Sequence, residues 1–447
     1  MKEIKVDFSK KLGAVKAMHA VGQPPFRGGF RKFDFSPMAY LRDANIPFSR
    51  LHDVGGAFGS YRFVDIPNIF RDFDADENDP KSYDFAFTDV LLKAMAQYEL
   101  KPIFRLGVTI ENQAPIKAYR IHPPKDYDKW ARICEHIIRH YNEGWADGFN
   151  YGIEYWEIWN EPENGVGIEN QMWTGTPLQF YKLYDVTAKH LKKCFGDKIK
   201  VGGYAASCLC GIFYHPEKYG LDMTPWPKSE RYEKHTFRLN FFLGFMDYIT
   251  EHNSPIDFFS WHSYEDVKHT RLQADYINKT LESYGFLGLE THLNEWNNAH
   301  ALSDHGTARA GAAACAMLCE MQNSPTDMLF YYDARILAGA YGGFFNFYTG
   351  KATPVYYTFK AFGKMFKGTQ TQCSCDENGI YTLAAVNGQK KCILISNYSD
   401  VSKELCINEK GMSCYIIDES HSLEKVDIDL TAFTLLPNQV CYIEGDI

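Results

Sequence analysis

The sequence predicts an α/β fold in which an eight-stranded parallel (β/α)8 TIM barrel carries a small C-terminal antiparallel β-sandwich. Between about residues 17 and 366, short β-rich runs alternate with amphipathic helical stretches, a pattern typical of a parallel sheet with crossover helices. At 447 residues the chain is too long for one ordinary core, but it suits a barrel with an attachment. After Gly368 the runs become shorter and alternate, which predicts the second domain.

Eight candidate strands make up the predicted barrel, at 17–21, 46–51, 101–106, 155–159, 198–203, 256–261, 289–294 and 328–332. Helical patterns lie between them at 88–100, 127–142, 178–195 and 307–322, and a last one at 355–366 follows the eighth strand. Eight β/α units of this length match a TIM barrel. A doubly wound sheet is the competing interpretation, but no glycine-rich phosphate loop follows the first strand.

The predicted β-sandwich comprises residues 1–13 and 369–447, and the barrel residues 14–368. Strand-like runs at 380–386, 391–398, 412–417 and 440–444 are separated by turn residues such as Asn387-Gly388. The opening KEIKVDF also alternates, so we expect it to add a strand to the sandwich. The segment 52–85 is long for a connection between a strand and a helix, and in a barrel it would lie on the catalytic face.

Composition excludes several classes of partner. The formal net charge is -9 with interspersed charges, which makes nucleic acid and anionic membranes poor partners. The N-terminus lacks the apolar stretch of a signal peptide and no run is long enough to span a bilayer, so we expect a cytoplasmic protein. The twelve cysteines have no framework spacing, which favours reduced thiols over disulfides or a metal site.

Two glutamates mark the ends of predicted strands. The fourth strand runs into Asn160-Glu161-Pro162, where proline stops the strand just as Glu161 emerges, and the seventh runs into Asn294-Glu295-Trp296. Active sites of barrel enzymes lie at the carboxyl ends of the strands. Two carboxyl groups roughly 5 Å apart across the barrel mouth are what a retaining glycosidase needs, one as nucleophile and one as acid and then base. Repulsion between the two carboxylates should raise the pKa of one of them, so that this carboxyl group stays protonated and can act as the acid.

These motifs resemble glycoside hydrolase family 39 of clan A, whose members include β-xylosidases and α-L-iduronidases. The resemblance covers nearly the whole chain and is strongest in SRLHDV (49–54), EYWEIWNEPE (154–163), FYKLYDVTAKHLK (180–192), KVGGYAA (200–206), DFFSWHSY (257–264) and LNEWNN (293–298). It implies that Glu161 is the acid/base, that Glu295 is the nucleophile and that Asn160 bonds the sugar 2-hydroxyl. For Asn160 and Glu161 both to face the site, the strand end would need a bulge.

Further substrate-binding residues are expected at other strand ends. The resemblance places Arg50 beside the nucleophile and His52 near the non-reducing sugar, with Asp53 next to it. His262 and Tyr264 are two residues apart, so they should point the same way, with Tyr264 donating to Glu295. The full predicted set of substrate-binding residues is Asn160, Arg50, His52, Asp53, His262, Tyr264, Tyr331, Asp333 and Arg335.

Several of these residues have a structural alternative. His52 and Asp53 could form a local hydrogen-bonded turn, and the rings of Tyr331 and Tyr332 could pack in the barrel wall instead of forming the floor of a sugar subsite. Glu157 lies deeper on the Glu161 side of its strand, where a buried salt bridge is the favoured role.

Three residues depart from the family pattern. Arg105 and Arg335 stand where the xylosidase-like members tend to carry acidic residues, and Ser263 stands where a second histidine is common. The two cations would favour a carboxylated sugar such as a uronic acid, or they would pair with Asp333 or Glu111.

We therefore expect a retaining, exo-acting glycoside hydrolase that releases a sugar, most readily β-D-xylose, from short oligosaccharides. The same mechanism on an acidic or arabinose-type sugar is one alternative, and a non-catalytic carbohydrate-binding barrel is another. No cofactor or metal is expected, because two carboxyl groups and a water complete the chemistry. Related enzymes often form oligomers, so a homo-oligomer is a further expectation.

Overall fold

The computed structural model describes residues 1–28, 33–54, 63–110, 121–299, 301–336 and 341–447. The chain divides into two compact units. The first unit comprises Met1–Pro47, Tyr264–Arg271 and Glu295–Ile447, and the second comprises Phe48–Ser263 and Leu272–Asn294. The domain bounds that we gave, 14–368 for the barrel and 1–13 with 369–447 for the second domain, stay a prediction.

The strands, in chain order, are β1 (Lys2–Ala14), β2 (Ala17–Gly22), β3 (Arg27–Gly28), β4 (Phe33–Asp34), β5 (Phe48–Leu51), β6 (Lys101–Leu106), β7 (Tyr155–Ile158), β8 (Lys200–Ala206), β9 (Phe258–Ser263), β10 (Glu290–Trp296), β11 (Met328–Tyr331), β12 (Thr369–Cys375), β13 (Ile380–Asn387), β14 (Lys390–Asn397), β15 (Lys403–Cys406), β16 (Ser413–Ile417), β17 (Ser422–Val426), β18 (Phe433–Leu435) and β19 (Val440–Asp446). The helices are α1 (Met38–Asp43), α2 (Ile66–Ile69), α3 (Ala86–Gln97), α4 (Tyr127–Glu143), α5 (Pro177–Phe195), α6 (Tyr232–Glu251), α7 (Val267–Ser283), α8 (Ala308–Gln322) and α9 (Pro354–Gly363).

Eight of these strands form a closed barrel in the order β10-β11-β2-β5-β6-β7-β8-β9, which confirms the predicted fold class. Parallel pairing from β5 through to β9 sets their carboxyl ends at one edge. The strands are buried on both faces, as a parallel sheet covered by helices requires. Each predicted barrel strand is present, with ends that match our bounds or differ from them by at most three residues.

The C-terminal strands form a separate nine-stranded sheet in the order β17-β16-β19-β14-β13-β12-β1-β15-β18. The opening strand β1 belongs to it, as the alternation predicted, and pairs antiparallel with β12. Its other neighbour, β15, runs parallel to it, so the sheet is mostly rather than wholly antiparallel. Residues from both ends of the strand order, such as Leu405 and Ile416, share one apolar core, which requires the sheet to curl around it.

Helix α8 packs on this sheet within the first unit. The helix is lined by small residues, which let it approach closely, and the Ser396 hydroxyl of β14 donates to the Ala312 carbonyl oxygen over 2.8 Å. Glu419 accepts from the Ala308 N–H at the start of the helix, where the helix dipole favours an anion.

The expectation that all cysteines are reduced thiols is wrong at one place. Cys208 and Cys210 form a disulfide just beyond β8, where an irregular loop sets their Cα atoms 5.5 Å apart, within reach of a bridge. The other ten cysteines are free thiols. Among the helices of the described ranges, none has the length and apolar character needed to cross a membrane.

Candidate active site

The segment that follows β7 and contains Glu161 has an irregular backbone. Strand β7 stops at Ile158, and Trp159 and Glu161 then have positive φ values of 71° and 41°. Residues other than glycine seldom adopt this region, and such strain is characteristic of functional positions. Two adjacent side chains, Asn160 and Glu161, consequently both make polar contacts with other strand ends, as the expected bulge would allow.

The Glu161 carboxyl group is held by donors on both oxygens. His262 Nδ1 donates to Oε1 and Asn164 Nδ2 donates to Oε2, each over 2.8 Å. Burial raises the pKa of Glu161, but the hydrogen bond from His262 and the positive charges of His262, Arg238 and Lys234 outweigh it and lower that pKa to about 2. The raised pKa that we expected for the acid is therefore not found in the resting chain. His262 contacts the predicted acid/base, and its role in substrate binding stays a prediction.

A buried polar network lies beneath Glu161. Arg50 Nε donates to Glu157 Oε2 over 2.7 Å and Arg50 Nη2 donates to Asn160 Oδ1 over 2.6 Å. Asn294 of β10 donates to the other oxygen of Glu157. The salt bridge predicted for Glu157 is confirmed, and its partner is Arg50. Because the Asn160 oxygen accepts from Arg50, the orientation of the amide is fixed.

His52 and Asp53 lie together at the end of β5. His52 Nε2 is 3.3 Å from Asp53 Oδ1, and that oxygen also accepts from the Ile110 N–H over 3.0 Å. Both side chains are buried, and Asp53 has a φ of 53°. The local pairing that we gave as an alternative is present, and it links the ends of β5 and β6.

Glu295 is the next-to-last residue of β10 and is buried. Tyr264 donates from its hydroxyl to Glu295 Oε2 over 2.7 Å, the contact that we expected. A hydrogen bond to a carboxylate is stronger than one between neutral groups, so Tyr264 fixes the direction of this oxygen.

Tyr331 does not offer a ring face to a ligand, which corrects its predicted role in substrate binding. Its ring packs edge-on against Trp296 and Phe359 of α9, and its hydroxyl donates to the Gly342 carbonyl oxygen over 2.8 Å. Odd and even positions of a strand face opposite sides, and Tyr331 lies on the helix side. The next residue, Tyr332, stands edge-on to Tyr264 instead.

The two arginines that suggested an acidic sugar both have carboxylate partners. Arg335 donates to Asp333 Oδ2 from Nε over 2.8 Å and from Nη2 over 2.5 Å, so the predicted residues Asp333 and Arg335 form an ion pair. Arg105 is fully buried and pairs with Asp65 over 2.6 Å. Glu111, the other partner that we considered, lies outside the described residues.

Sequence reasoning missed the polar residues around Glu161 that come from α6 and from its own loop. Arg238 Nη2 donates to Asn164 Oδ1 over 2.8 Å, so a chain of contacts leads from α6 to Glu161. Lys234 and Arg238 are four residues apart and so share one helix face, a signal present in the sequence. Glu163 is buried and was not singled out, although it directly follows the Asn-Glu-Pro motif.

Two relatives of known activity match part of the chain. β-Xylosidases from Geobacillus stearothermophilus and Caldicellulosiruptor saccharolyticus are 24% and 26% identical over 57% and 50% of this chain. These matches cover 49% and 42% of those proteins, so the chain spans about half the length of the curated relatives it matches.

Solved structures share the fold. A glucosidase from Croceicoccus marinus has a TM-score of 0.76 at 21% identity, with 100% of this chain and 99% of that one covered. A GH39 β-xylosidase from Caulobacter crescentus has a TM-score of 0.68 at 16% identity, with 100% of both chains covered. The family model described as "Glycosyl hydrolases family 39" matches residues 61–339, more than half of the chain and a range that includes both glutamates. The chain therefore belongs to glycosyl hydrolase family 39.

Proposed function

We propose that this chain is a retaining, exo-acting glycoside hydrolase that releases β-D-xylose from the non-reducing end of short oligosaccharides. The observation that carries the proposal is the pair of glutamates at the carboxyl ends of two strands of one barrel, Glu161 after β7 and Glu295 in β10. Each has its own set of donors, which suits two carboxyl groups with different tasks.

In the proposed first step, Glu295 attacks the anomeric carbon while the glycosidic bond breaks and the leaving oxygen takes a proton from Glu161. Tyr264 donates to Glu295 Oε2 and so fixes the orientation of the nucleophile. In the second step Glu161, now ionised, takes a proton from water, the water oxygen bonds to the anomeric carbon, and Glu295 is released. Asn160 contributes its amide N–H groups to a sugar hydroxyl, since its oxygen accepts from Arg50.

The proposed acid must hold a proton in the substrate complex, although the pKa of Glu161 is lowered to about 2 in the resting chain. A bound sugar expels water, and desolvation raises the pKa of a carboxyl group. Burial already acts in this direction at Glu161. We propose that substrate binding raises the pKa of Glu161 enough for it to hold a proton in the substrate complex, while His262 stays within hydrogen-bond reach of its carboxyl group.

β-D-Xylose is the first choice of sugar because the curated relatives are β-xylosidases. An acidic sugar was suggested by the positive charges of Arg105 and Arg335. Because these guanidinium groups form ion pairs with Asp65 and Asp333, we favour a neutral sugar over a uronate.

The experiment is hydrolysis of nitrophenyl glycosides, including β-xyloside, α-L-arabinosides and α-L-iduronide, by wild type and by Glu161→Ala and Glu295→Ala. We expect β-xyloside to dominate, with the first product formed as the β anomer. Glu295→Ala should be inactive, and azide should restore turnover of Glu161→Ala. Glu154→Ala, which removes a half-exposed glutamate one residue before β7, is the matched control and should behave as wild type.

Other outcomes would redirect the proposal. If an arabinoside or the iduronide is hydrolysed faster than the β-xyloside, the proposed mechanism stands and the proposed sugar changes. Full activity of Glu295→Ala would rule out its role as nucleophile. Sugar binding without turnover of any glycoside would support a non-catalytic carbohydrate-binding barrel.

A further inference from the structure

The hydrogen-bond ladder between β7 and β8 is completed by a side chain. Its last backbone pairing joins Ile158 and Gly203. Beyond it, the Glu161 N–H still donates to the Ala205 carbonyl oxygen over 3.1 Å. The next donor on the β8 side, the Ser207 N–H, is met by Glu163 Oε1 over 2.6 Å. The Glu163 carboxyl group thus takes the place of a main-chain rung just after the residue proposed as acid/base.

The surroundings of Glu163 favour its uncharged form. Its side chain is fully buried, and Oε2 has no hydrogen-bond partner among the described residues. A buried carboxylate with an unused oxygen is costly. Burial, with the charge of Glu161 acting in the same direction, raises the pKa of Glu163 to about 8. The titratable groups that face it are Glu161 on its own segment, Arg238 and Lys234 of α6, Tyr181 of α5 and Tyr204 of β8.

We propose that Glu163 is a positioning residue that acts as a neutral carboxylic acid, anchoring the segment of Glu161 to Ser207 at the end of β8. The inference rests on the proposed function in so far as Glu161 is the acid/base. The neutral form matters for Glu161, because a carboxylate at Glu163 would place a second negative charge beside Glu161 and compete for the cations of α6. The neutral acid keeps those cations available to Glu161.

Infrared spectroscopy tests the protonation state directly. At about pH 6, ordinary carboxyl groups are ionised, so the C=O stretching band of a protonated carboxylic acid should be present in wild type and absent from Glu163→Gln. The control Glu169→Gln removes an exposed glutamate from the same loop and should retain the band. A band that persists unchanged in Glu163→Gln would overturn the proposal.

Kinetics test the positioning role. Glutamine reproduces the shape and neutrality of the acid, so Glu163→Gln should keep at least about half of the wild-type kcat. Glu163→Asp keeps the carboxyl group but shortens its reach to Ser207, so kcat should fall about tenfold while KM stays within about twofold. If Glu163→Gln loses as much activity as Glu161→Gln, a charge is needed at this position and the proposal is wrong.

Thermal unfolding supplies a readout that needs no turnover. A carboxyl pKa raised from 4.5 to about 8 by folding makes the wild type lose stability relative to Glu163→Gln as the pH rises through that range. A difference in Tm between the two proteins that does not change with pH would overturn the proposal. This test does not depend on catalysis. If the difference in Tm changes with pH as expected but no glycoside is hydrolysed, the role of Glu163 as a neutral acid is supported and only the proposed function is contradicted.

Discussion

At the scale of residues, the two glutamates have different environments. Glu295 receives a hydroxyl donor from Tyr264, whereas Glu161 lies among His262, Arg238 and Lys234. The cations come from α6 and the imidazole from the end of β9, so the charge state of Glu161 depends on residues about 75 to 100 positions away in the chain. This explains why the strand-end motif located the carboxyl group correctly while its pKa was mispredicted.

Replacing His262 by Ala should raise the pKa of Glu161 from about 2 toward or above its ordinary value of 4.5, because the main lowering influence is removed and burial remains. A lowered carboxyl pKa contributes stability that is present above pH 4.5 and is lost as the pH falls toward 2. We therefore expect His262→Ala to lose less stability than wild type on acidification, measured by urea unfolding across this range. Asn164→Ala, which removes a neutral donor, should change the acid dependence less. Parallel losses of stability in wild type and His262→Ala would contradict the assignment.

Two Tyr→Phe variants should separate catalytic from structural hydroxyl groups. Tyr264→Phe removes the donor to Glu295, and we expect kcat/KM to fall about 10- to 100-fold because hydrogen bonds to charged groups are strong. Tyr331→Phe removes a bond to a backbone carbonyl in the barrel wall and should cost about 1 kcal/mol of stability with little change in turnover. Steady-state kinetics and urea unfolding of both variants provide the measurement. The reverse pattern would restore Tyr331 as the substrate-facing ring.

At the scale of elements, buried charges connect strands that are not neighbours. Glu157 of β7 accepts from Arg50 of β5 and from Asn294 of β10, so one carboxylate is shared by three barrel strands. Period-2 alternation predicted that Glu157 points inward on the Glu161 side, and the buried salt bridge followed from the cost of leaving it unpaired. The sequence could not predict which residue pairs with Glu157, because Arg50 and Arg105 both lie near the end of a strand. Only the register of the barrel strands brings Arg50 next to Glu157.

Replacing Glu157 by Ala should destabilise the chain by about 3–5 kcal/mol, because Arg50 would be left as a buried charge without its carboxylate. Urea unfolding followed by tryptophan fluorescence measures the loss. The matched control is Asp446→Ala, which breaks an exposed ion pair with Lys390 and should cost no more than about 1 kcal/mol. Equal effects of the two substitutions would show that burial adds nothing to this ion pair.

At the scale of the whole molecule, the C-terminal sheet covers part of the barrel's own helical layer. Helix α8 precedes β11 in the chain, yet its small-residue face packs on strands of the sheet, and Ser396 bonds its Ala312 carbonyl. Strand β1, at the other end of the chain, is hydrogen bonded between β12 and β15. The sheet therefore contacts α8 through side-chain packing, and it includes the N-terminal strand β1 through backbone hydrogen bonds.

Deleting residues 369–447 should prevent the rest of the chain from folding to a soluble protein, because the apolar face of α8 and the paired edge of β1 would be exposed. The soluble fraction after expression and a cooperative thermal transition are the measurements. Ser396→Ala removes one buried hydrogen bond, costs about 1 kcal/mol and should leave the protein soluble. A deleted chain that melts cooperatively would show that the barrel folds alone.

The sequence by itself determined the (β/α)8 barrel, the strand that β1 adds to the C-terminal sheet, and the glutamates at the ends of β7 and β10. These features follow from local patterns: hydrophobic period, turn residues, and a proline that stops a strand after Glu161. Only the tertiary structure decided the parallel pairing of β1 with β15 and the side of the barrel wall on which Tyr331 lies.

The tertiary structure also decided the electrostatics. It paired Arg335 with Asp333 and Arg105 with Asp65, it lowered the pKa of Glu161, and it buried Glu163 as a rung of the β7–β8 ladder. The physical reason is distance: Coulombic and hydrogen-bond energies depend on separations of a few ångströms between groups, and for residues far apart in the chain only the packed fold sets those separations.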